Sequence, residues 1–231
     1  MKNKSILACL LMGASLTSAI NSMAIATAAI DRTYAQSQNP PAPTPDFSKA
    51  TLTLQDFPPG FTPASFIEGQ EEQGKNDLGK LIGEFKPESI FGFENKINTS
   101  NKQYQFVLGI TGQIPETLDR ASFDAYASQN NFARQFITKL NEDKEFNFSN
   151  VTALPLPDNI GQFSAGWTSR GTIQGVPVRL DAAMFGRGKL VACLLTLYLE
   201  GNNSIVPISE LARKLDDRII QLSPPAETQR Q

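Results

Sequence analysis

The sequence predicts an α+β domain in which a single antiparallel β-sheet of about five to seven strands is packed by one long helix and a C-terminal helix. Three observations support this prediction. Residues 189–200, KLVACLLTLYLE, form a nearly continuous apolar run, typical of a central strand covered on both faces. Apolar residues recur at helical spacing over 115–140 and again over 208–222. Stretches with a period of two, at 104–109 and 176–185, precede the first helical segment and the apolar run.

The other strands are expected at 90–95, 103–111, 163–171 and 176–185. The polar residues 95–102 would connect the first two strands. Gln174-Gly175 and the glycines at 186–188 are suited to tight turns, so the last three strands are expected to form an antiparallel meander. In its middle strand Val178 and Leu180 would face one side, and Arg179 and Asp181 the other.

The first helix is expected over 115–140, where Pro115 suits the first turn and Glu116 suits the positive end of the helix dipole. The closing helix, 208–222, has one apolar stripe, and Glu210 and Lys214 are spaced to pair on its exposed side.

The segments outside the domain have distinct compositions. Residues 1–35 have a basic start, an apolar run and small residues, which predicts a signal peptide cleaved after Ala28 or Ala35, or retained as an anchor. Residues 36–50 are expected to be a proline-rich linker, 51–222 a single globular domain and 223–231 a disordered tail. The mature chain is therefore expected outside the cytoplasm, in a periplasm or thylakoid lumen, with no transmembrane span.

Composition excludes several classes of function. The near-neutral balance, a net charge of −2, lacks the overall basic charge typical of nucleic-acid-binding domains, so nucleic-acid binding is not expected. The chain has no histidine, which excludes imidazole acid–base chemistry and histidine-ligated zinc. After removal of the signal peptide Cys193 is the one remaining cysteine, so no internal disulfide is possible, and we expect it in the core.

No catalytic, cofactor-binding or metal-binding residues are predicted. The acidic pairs Asp216-Asp217 and Glu71-Glu72 lack the oxygen-rich spacing of a metal site. No phosphate-binding or dinucleotide-binding glycine motif is present. We therefore do not expect an enzyme.

Two candidate interaction surfaces stand out. In Asp56–Phe61, Pro58, Pro59 and a glycine form a stiff turn, and the flanking Phe57 and Phe61 would either pin it to the core or form an exposed recognition surface. The second candidate is a basic patch of Arg170, Arg179 and Arg187 on adjacent strands. Cross-strand pairing with Asp181 is the structural alternative.

A candidate pocket lies between the sheet and the long helix. Phe132 and Phe136 belong to the helical stripe, and Trp167, the single tryptophan, lies on a predicted strand. These rings would line a small-molecule pocket, or simply fill the core.

The element order resembles that of the PsbP-like superfamily, which includes photosystem II extrinsic proteins and bacterial LpqN-type lipoproteins. Residues 54–61, LQDFPPGF, are similar to the D-L-P-x-G-W phrase near the start of many exported bacterial domains, with Phe57 and Phe61 in place of Leu and Trp. The resemblance covers residues 51–222 and implies a non-catalytic accessory or assembly role, in a lumen or periplasm, at a membrane that is photosynthetic in some members.

The expected function is therefore that of an exported, monomeric, non-catalytic accessory protein that docks on a protein partner in a membrane-associated complex. A periplasmic small-molecule binding or sensor domain is the alternative.

Overall fold

The computed structural model describes residues 46–65, 86–95, 103–113 and 131–222. The predicted signal peptide, most of the linker, the tail and residues 115–130 of the predicted long helix lie outside these ranges. The strands are β1 (Phe61–Pro63), β2 (Lys86–Asn95), β3 (Gln105–Gln113), β4 (Phe146–Ala153), β5 (Phe163–Ile173), β6 (Val176–Arg187) and β7 (Leu190–Leu199). The helices are α1 (Asn131–Leu140) and α2 (Ile208–Leu222), with short 3-10 helices at Phe47–Lys49 and Leu54–Asp56.

The seven strands form one open sheet in the order β1-β2-β3-β7-β6-β5-β4. Every neighbouring pair is antiparallel. The apolar run of β7 therefore occupies the middle of the sheet, as predicted. β5, β6 and β7 form the predicted meander, and the first turn of the meander has Gln174 at φ 50° and Gly175 at φ 80°, the left-handed pair that favours a tight hairpin.

Two strands were missed by the sequence analysis. β1 has three residues, and β4 lies in residues 146–153, where no element was predicted. β4 is an edge strand, in which Phe146 and Phe148 are buried while Asn147 and Ser149 are exposed. Because an edge strand needs only one apolar face, its sequence looks polar overall.

The prediction of one long helix is not confirmed. The described helix α1 has ten residues, and the rest of the predicted helix lies outside the described ranges. The closing helix α2 has the predicted bounds, and Glu210 and Lys214 pair at 2.9 Å. Among the described residues, neither helix has the length and apolar content needed to cross a membrane.

The sheet has a core on each face. The α1 face combines side chains of α1 with the alternate strand residues that include Cys193, Leu195 and Leu197. The α2 face combines α2 with Ala192 and Leu194 of the same strand and with the segment that follows residue 46. Both cores thus share β7, which explains why its residues are apolar on both sides.

Candidate functional site

The loop of residues 53–61, hereafter the proline loop, is pinned to the core by its two phenylalanines. Phe57 and Phe61 are buried, and their ring centroids are 4.8 Å apart. Phe57 also contacts Phe93 of β2 at 4.7 Å between centroids. Of the two alternatives for these rings, the structure shows the core position and not an exposed surface: both rings belong to the α2 face, because they fill the space beside β2.

The proline loop is also held by polar contacts. The Asp56 carboxylate accepts hydrogen bonds from the Thr53 backbone N–H at 2.6 Å and from Arg218 of α2 at 3.0 and 3.3 Å. Lys214 donates to the Asp56 carbonyl oxygen at 2.6 Å. Burial opposes ionisation of Asp56, but the Thr53 and Arg218 hydrogen bonds outweigh it and lower the pKa of the carboxyl below its ordinary value of 3.8.

The exposed residues of the proline loop include three apolar ones beside Thr53 and Gln55. Pro58 and Pro59 are exposed, and Leu54 leaves 45% of its surface in water. A stiff segment anchored from below by two rings and one ion pair therefore presents three apolar side chains outward. This surface retains Pro58 and Pro59 from the sequence-based candidate, and gains Leu54.

Arg187 does not belong to a basic patch with the other arginines. It lies about eight residues, or roughly 26 Å of strand, from Arg179. Its guanidinium donates to both carboxylate oxygens of Asp216 of α2, at 2.5 and 2.7 Å. The hydrogen bond to Asp216 raises the pKa of Arg187 above its ordinary value. Arg187 is therefore a structural tie between β6 and α2.

Arg170 and Arg179 do lie together, directly opposite each other on β5 and β6. Like charges in this position repel, but each has its own carboxylate. Arg170 pairs with Glu200 at 3.2 Å, and Arg179 with Asp181 at 3.3 Å. The pairing with Asp181 runs along one strand, not across strands as expected. The result is a charge-balanced surface and not a basic one.

Asp181 is the centre of a polar cluster that the sequence analysis did not identify. Its carboxylate accepts hydrogen bonds from the Tyr198 hydroxyl at 2.8 Å and the Thr168 hydroxyl at 2.6 Å. Burial and the bond to Asp181 raise the pKa of Tyr198 above its ordinary value of 10.0, so Tyr198 stays a hydrogen-bond donor. The cluster can be recognised only once the register of β6 and β7 is known, in which Asp181 lies opposite Thr196.

Thr196 lies within this region with no exposed surface. Its side-chain oxygen has no hydrogen-bond partner among the described residues. A buried hydroxyl without a partner costs free energy, so Thr196 is a local weakness in an otherwise well-satisfied cluster.

A shallow pocket lies between α1 and the sheet, with an empty volume of about 270 Å³ that includes open solvent. Phe136 and Trp167 are among the residues that line it, and the side chain of Phe132 is not among the described ones. The complete lining is Ala133, Phe136, Ile137, Val151, Trp167, Thr168, Ser169, Leu180 and Ala182. Because this volume includes open solvent, the enclosed space is far smaller than the roughly 300–1,000 Å³ of a typical small-molecule site.

Within the described ranges, no group of three or more acidic, histidine or cysteine side chains could hold a metal ion. Cys193 is buried in the α1 face, and burial raises the pKa of its thiol to about 12. A thiol in this state is a poor nucleophile. Asp216 binds Arg187 and the Gly161 N–H, so it serves the fold.

The geometry thus comprises an anchored apolar loop, a charge-balanced sheet surface and a small apolar pocket. Comparisons of the chain with protein-family models, with curated proteins and with solved structures find no match. The resemblance to the PsbP-like superfamily accordingly remains a prediction from the sequence.

Proposed function

We propose that this chain is an exported, non-catalytic accessory or assembly protein that docks through its proline loop on a membrane-associated protein complex. The observation that supports this proposal most directly is the outward apolar surface of Leu54, Pro58 and Pro59. A rigid apolar surface loses little conformational entropy when it is buried against a partner, which favours binding.

The anchoring of the loop supports the same proposal. Phe57 and Phe61 hold its inner side, and the Asp56–Arg218 pair fixes it to α2. This support holds the exposed prolines in one conformation before any partner arrives. Preorganisation of this kind improves affinity because the cost of ordering has already been met by folding.

The ion pairs of three aspartates also favour a binding role over a catalytic one. Asp56, Asp181 and Asp216 each bind an arginine. Carboxylates engaged in this way stabilise the fold and are poorly placed to exchange protons with a substrate. The predicted signal peptide and linker would deliver the domain to a membrane surface, and the PsbP-like resemblance suggests a photosynthetic one.

The test is affinity purification of the chain from detergent-solubilised native membranes, with mass spectrometry of the retained proteins. Leu54→Asp would place an unpaired carboxylate in the interface, which is costly. Val176→Asp is the matched control, because Val176 is equally exposed, at 49% against 45% for Leu54, but lies in the β5–β6 hairpin. We expect the wild type and Val176→Asp to retain one stoichiometric complex and Leu54→Asp to lose it.

Two outcomes contradict the proposal. If the wild type retains no specific membrane protein, the accessory role is wrong. If Leu54→Asp retains the complex as well as Val176→Asp does, docking takes place elsewhere on the surface.

Small-molecule binding is a second candidate, favoured by the pocket beside Trp167. Because Trp167 is the only tryptophan, its fluorescence reports on this pocket alone. A ligand from a panel of small apolar compounds should shift the emission of the wild type, and Ala182→Leu, which fills the pocket, should abolish the shift. A panel with no saturable shift would exclude this candidate for the compounds tested.

A further inference from the structure

We propose that the Asn141 side chain guards the free edge of β4, and that without it this edge pairs with the same edge of a second copy of the chain. The proposal concerns association of the protein with itself and is independent of the docking role of the proline loop.

β4 is the edge of the sheet that needs protection. Among the described residues its only strand neighbour is β5. The opposite edge, β1, has three residues and ends at Pro63, which has no N–H to donate. β4 has eight residues. Long unpaired edges offer free N–H and carbonyl groups to other chains.

The sequence of β4, FNFSNVTA, lacks the usual protective residues. It contains no charged residue and no proline, and two of its eight residues are phenylalanine. Segments of this composition pair readily with identical segments. A bulge interrupts the strand after Ser149, so for residues 146–149 protection must come from outside the strand.

The direction of the backbone groups follows from two hydrogen bonds. The Glu145 carbonyl oxygen accepts from the Gln174 N–H at 2.8 Å, and the Ser149 carbonyl oxygen accepts from the Ser169 hydroxyl at 2.7 Å. The backbone groups of these odd-numbered residues thus point toward β5. In an antiparallel pair the direction alternates, so the N–H and carbonyl of Phe146 and Phe148 point toward the free edge.

Asn141 occupies the middle of that free edge. The Phe148 N–H donates to Asn141 Oδ1 at 2.8 Å, and Asn141 Nδ2 donates to the Phe148 carbonyl oxygen at 2.7 Å. This double hydrogen bond reproduces one rung of an antiparallel ladder. A second strand could not form the same rung while the amide is in place.

The position of the amide is fixed by the end of α1. The backbone N–H of Asn141 donates to the Ile137 carbonyl oxygen at 3.0 Å, so Asn141 directly continues the helix. On one side of the guarded rung, the Phe146 N–H donates to the Asp143 carbonyl oxygen at 3.0 Å. On the other side the register shifts between Ser149 and Thr152, and Asn150 has φ 55°. The bulge ends the regular edge. The Phe148 rung therefore lies at the centre of the regular part of the edge.

The test compares Asn141→Ala with Asn147→Ala in the purified chain. Asn147 is exposed on β4 itself, and its backbone groups point toward β5, so it is a matched control. Hydrogen exchange should show the Phe148 amide exchanging at least about tenfold faster in Asn141→Ala than in Asn147→Ala. Analytical ultracentrifugation should show concentration-dependent dimers for Asn141→Ala alone.

The double variant Asn141→Ala/Asn147→Lys separates edge pairing from general loss of stability. A lysine on the edge strand disfavours pairing between identical strands, so this variant should be monomeric although its Phe148 amide remains unprotected. The proposal is overturned if Asn141→Ala stays monomeric at all concentrations, if its Phe148 amide keeps its protection, or if the double variant dimerises as strongly as the single one.

Discussion

Arg187 of β6 and Asp216 of α2 form a two-point ion pair, with nitrogen–oxygen distances of 2.5 and 2.7 Å. The same carboxylate accepts the Gly161 N–H at 2.9 Å. One aspartate thus joins three separate parts of the chain: the loop before β5, the end of β6 and the middle of α2.

Arg187→Met should lower the free energy of unfolding by about 3 kcal/mol, because Asp216 is left buried without its cation. This loss is at the low end of the range for a broken buried ion pair, because the Arg187 side chain is 25% exposed to solvent. Arg170→Met is the control; that arginine is 68% exposed in its pair with Glu200 and should cost less than about 1 kcal/mol. Urea denaturation measures the free energy of unfolding of both variants. Equal losses would show that the Arg187–Asp216 pair stabilises the fold no more than the exposed Arg170–Glu200 pair does.

Thr196→Val should leave the free energy of unfolding unchanged or raise it by up to about 1 kcal/mol, because the lost hydroxyl makes no hydrogen bond. Thr111→Val is the matched control. Thr111 is equally buried, but its hydroxyl donates to the Ala50 carbonyl oxygen at 3.1 Å and contacts the Ser89 hydroxyl at 2.5 Å. The control should lose about 1–3 kcal/mol. A similar loss for Thr196→Val in thermal and urea denaturation would indicate a bound water at Thr196.

The contribution of Asp56 to stability should depend on pH. Because its folded pKa lies below the ordinary value of 3.8, the ionised carboxylate stabilises the fold above that value. The stabilisation is lost as the pH falls below 3.8 and through the folded pKa. The stability difference between the wild type and Asp56→Asn should therefore be constant near neutral pH and shrink below about pH 4. Asp158→Asn, at an exposed loop position, is the control; a difference for Asp56→Asn that does not change with pH would contradict this prediction.

The Cys193 thiol should resist modification in the folded protein. It is buried, and its pKa of about 12 leaves very little thiolate at pH 8. We expect a thiol reagent to react at least about a thousandfold more slowly than with the chain unfolded in urea. The rate should rise with urea along the unfolding transition measured by Trp167 fluorescence. Fast labelling in the absence of urea would show local opening of β7.

The central strand, the meander and the closing helix could be predicted because each has a strong local signal. β7 is apolar on both faces, and α2 has one apolar stripe. β4 could not be predicted as readily, since five of its eight residues are exposed and a bulge interrupts its alternation. Neither the position of β4 at the edge of the sheet nor its bulge can be read from the local sequence.

The candidate sites were harder to predict because they depend on contacts between distant residues. The burial of Phe57 requires Phe93, which belongs to another strand. The ion pair of Arg187 requires Asp216 of α2, and the hydrogen bond of Tyr198 requires the register between β6 and β7. The sequence indicates Phe57, Arg187 and Asp181 as candidates, but the partner of each is decided by the folded sheet.

The chain order of the sheet has a consequence for how the protein is made. Among the strands that the structure describes, β7 is the last in the chain, yet it alone joins β3 to β6. Before residues 190–199 have been synthesised, β1–β3 and β4–β6 have no strand between them. The inner edges of these two parts, β3 and β6, both lack the strand with which they pair in the complete sheet. Long-range strand pairing of this kind slows folding. The nascent chain therefore cannot join the two parts of this sheet until β7 has been made, and a polypeptide cut short before β7 would leave both inner edges open to aggregation.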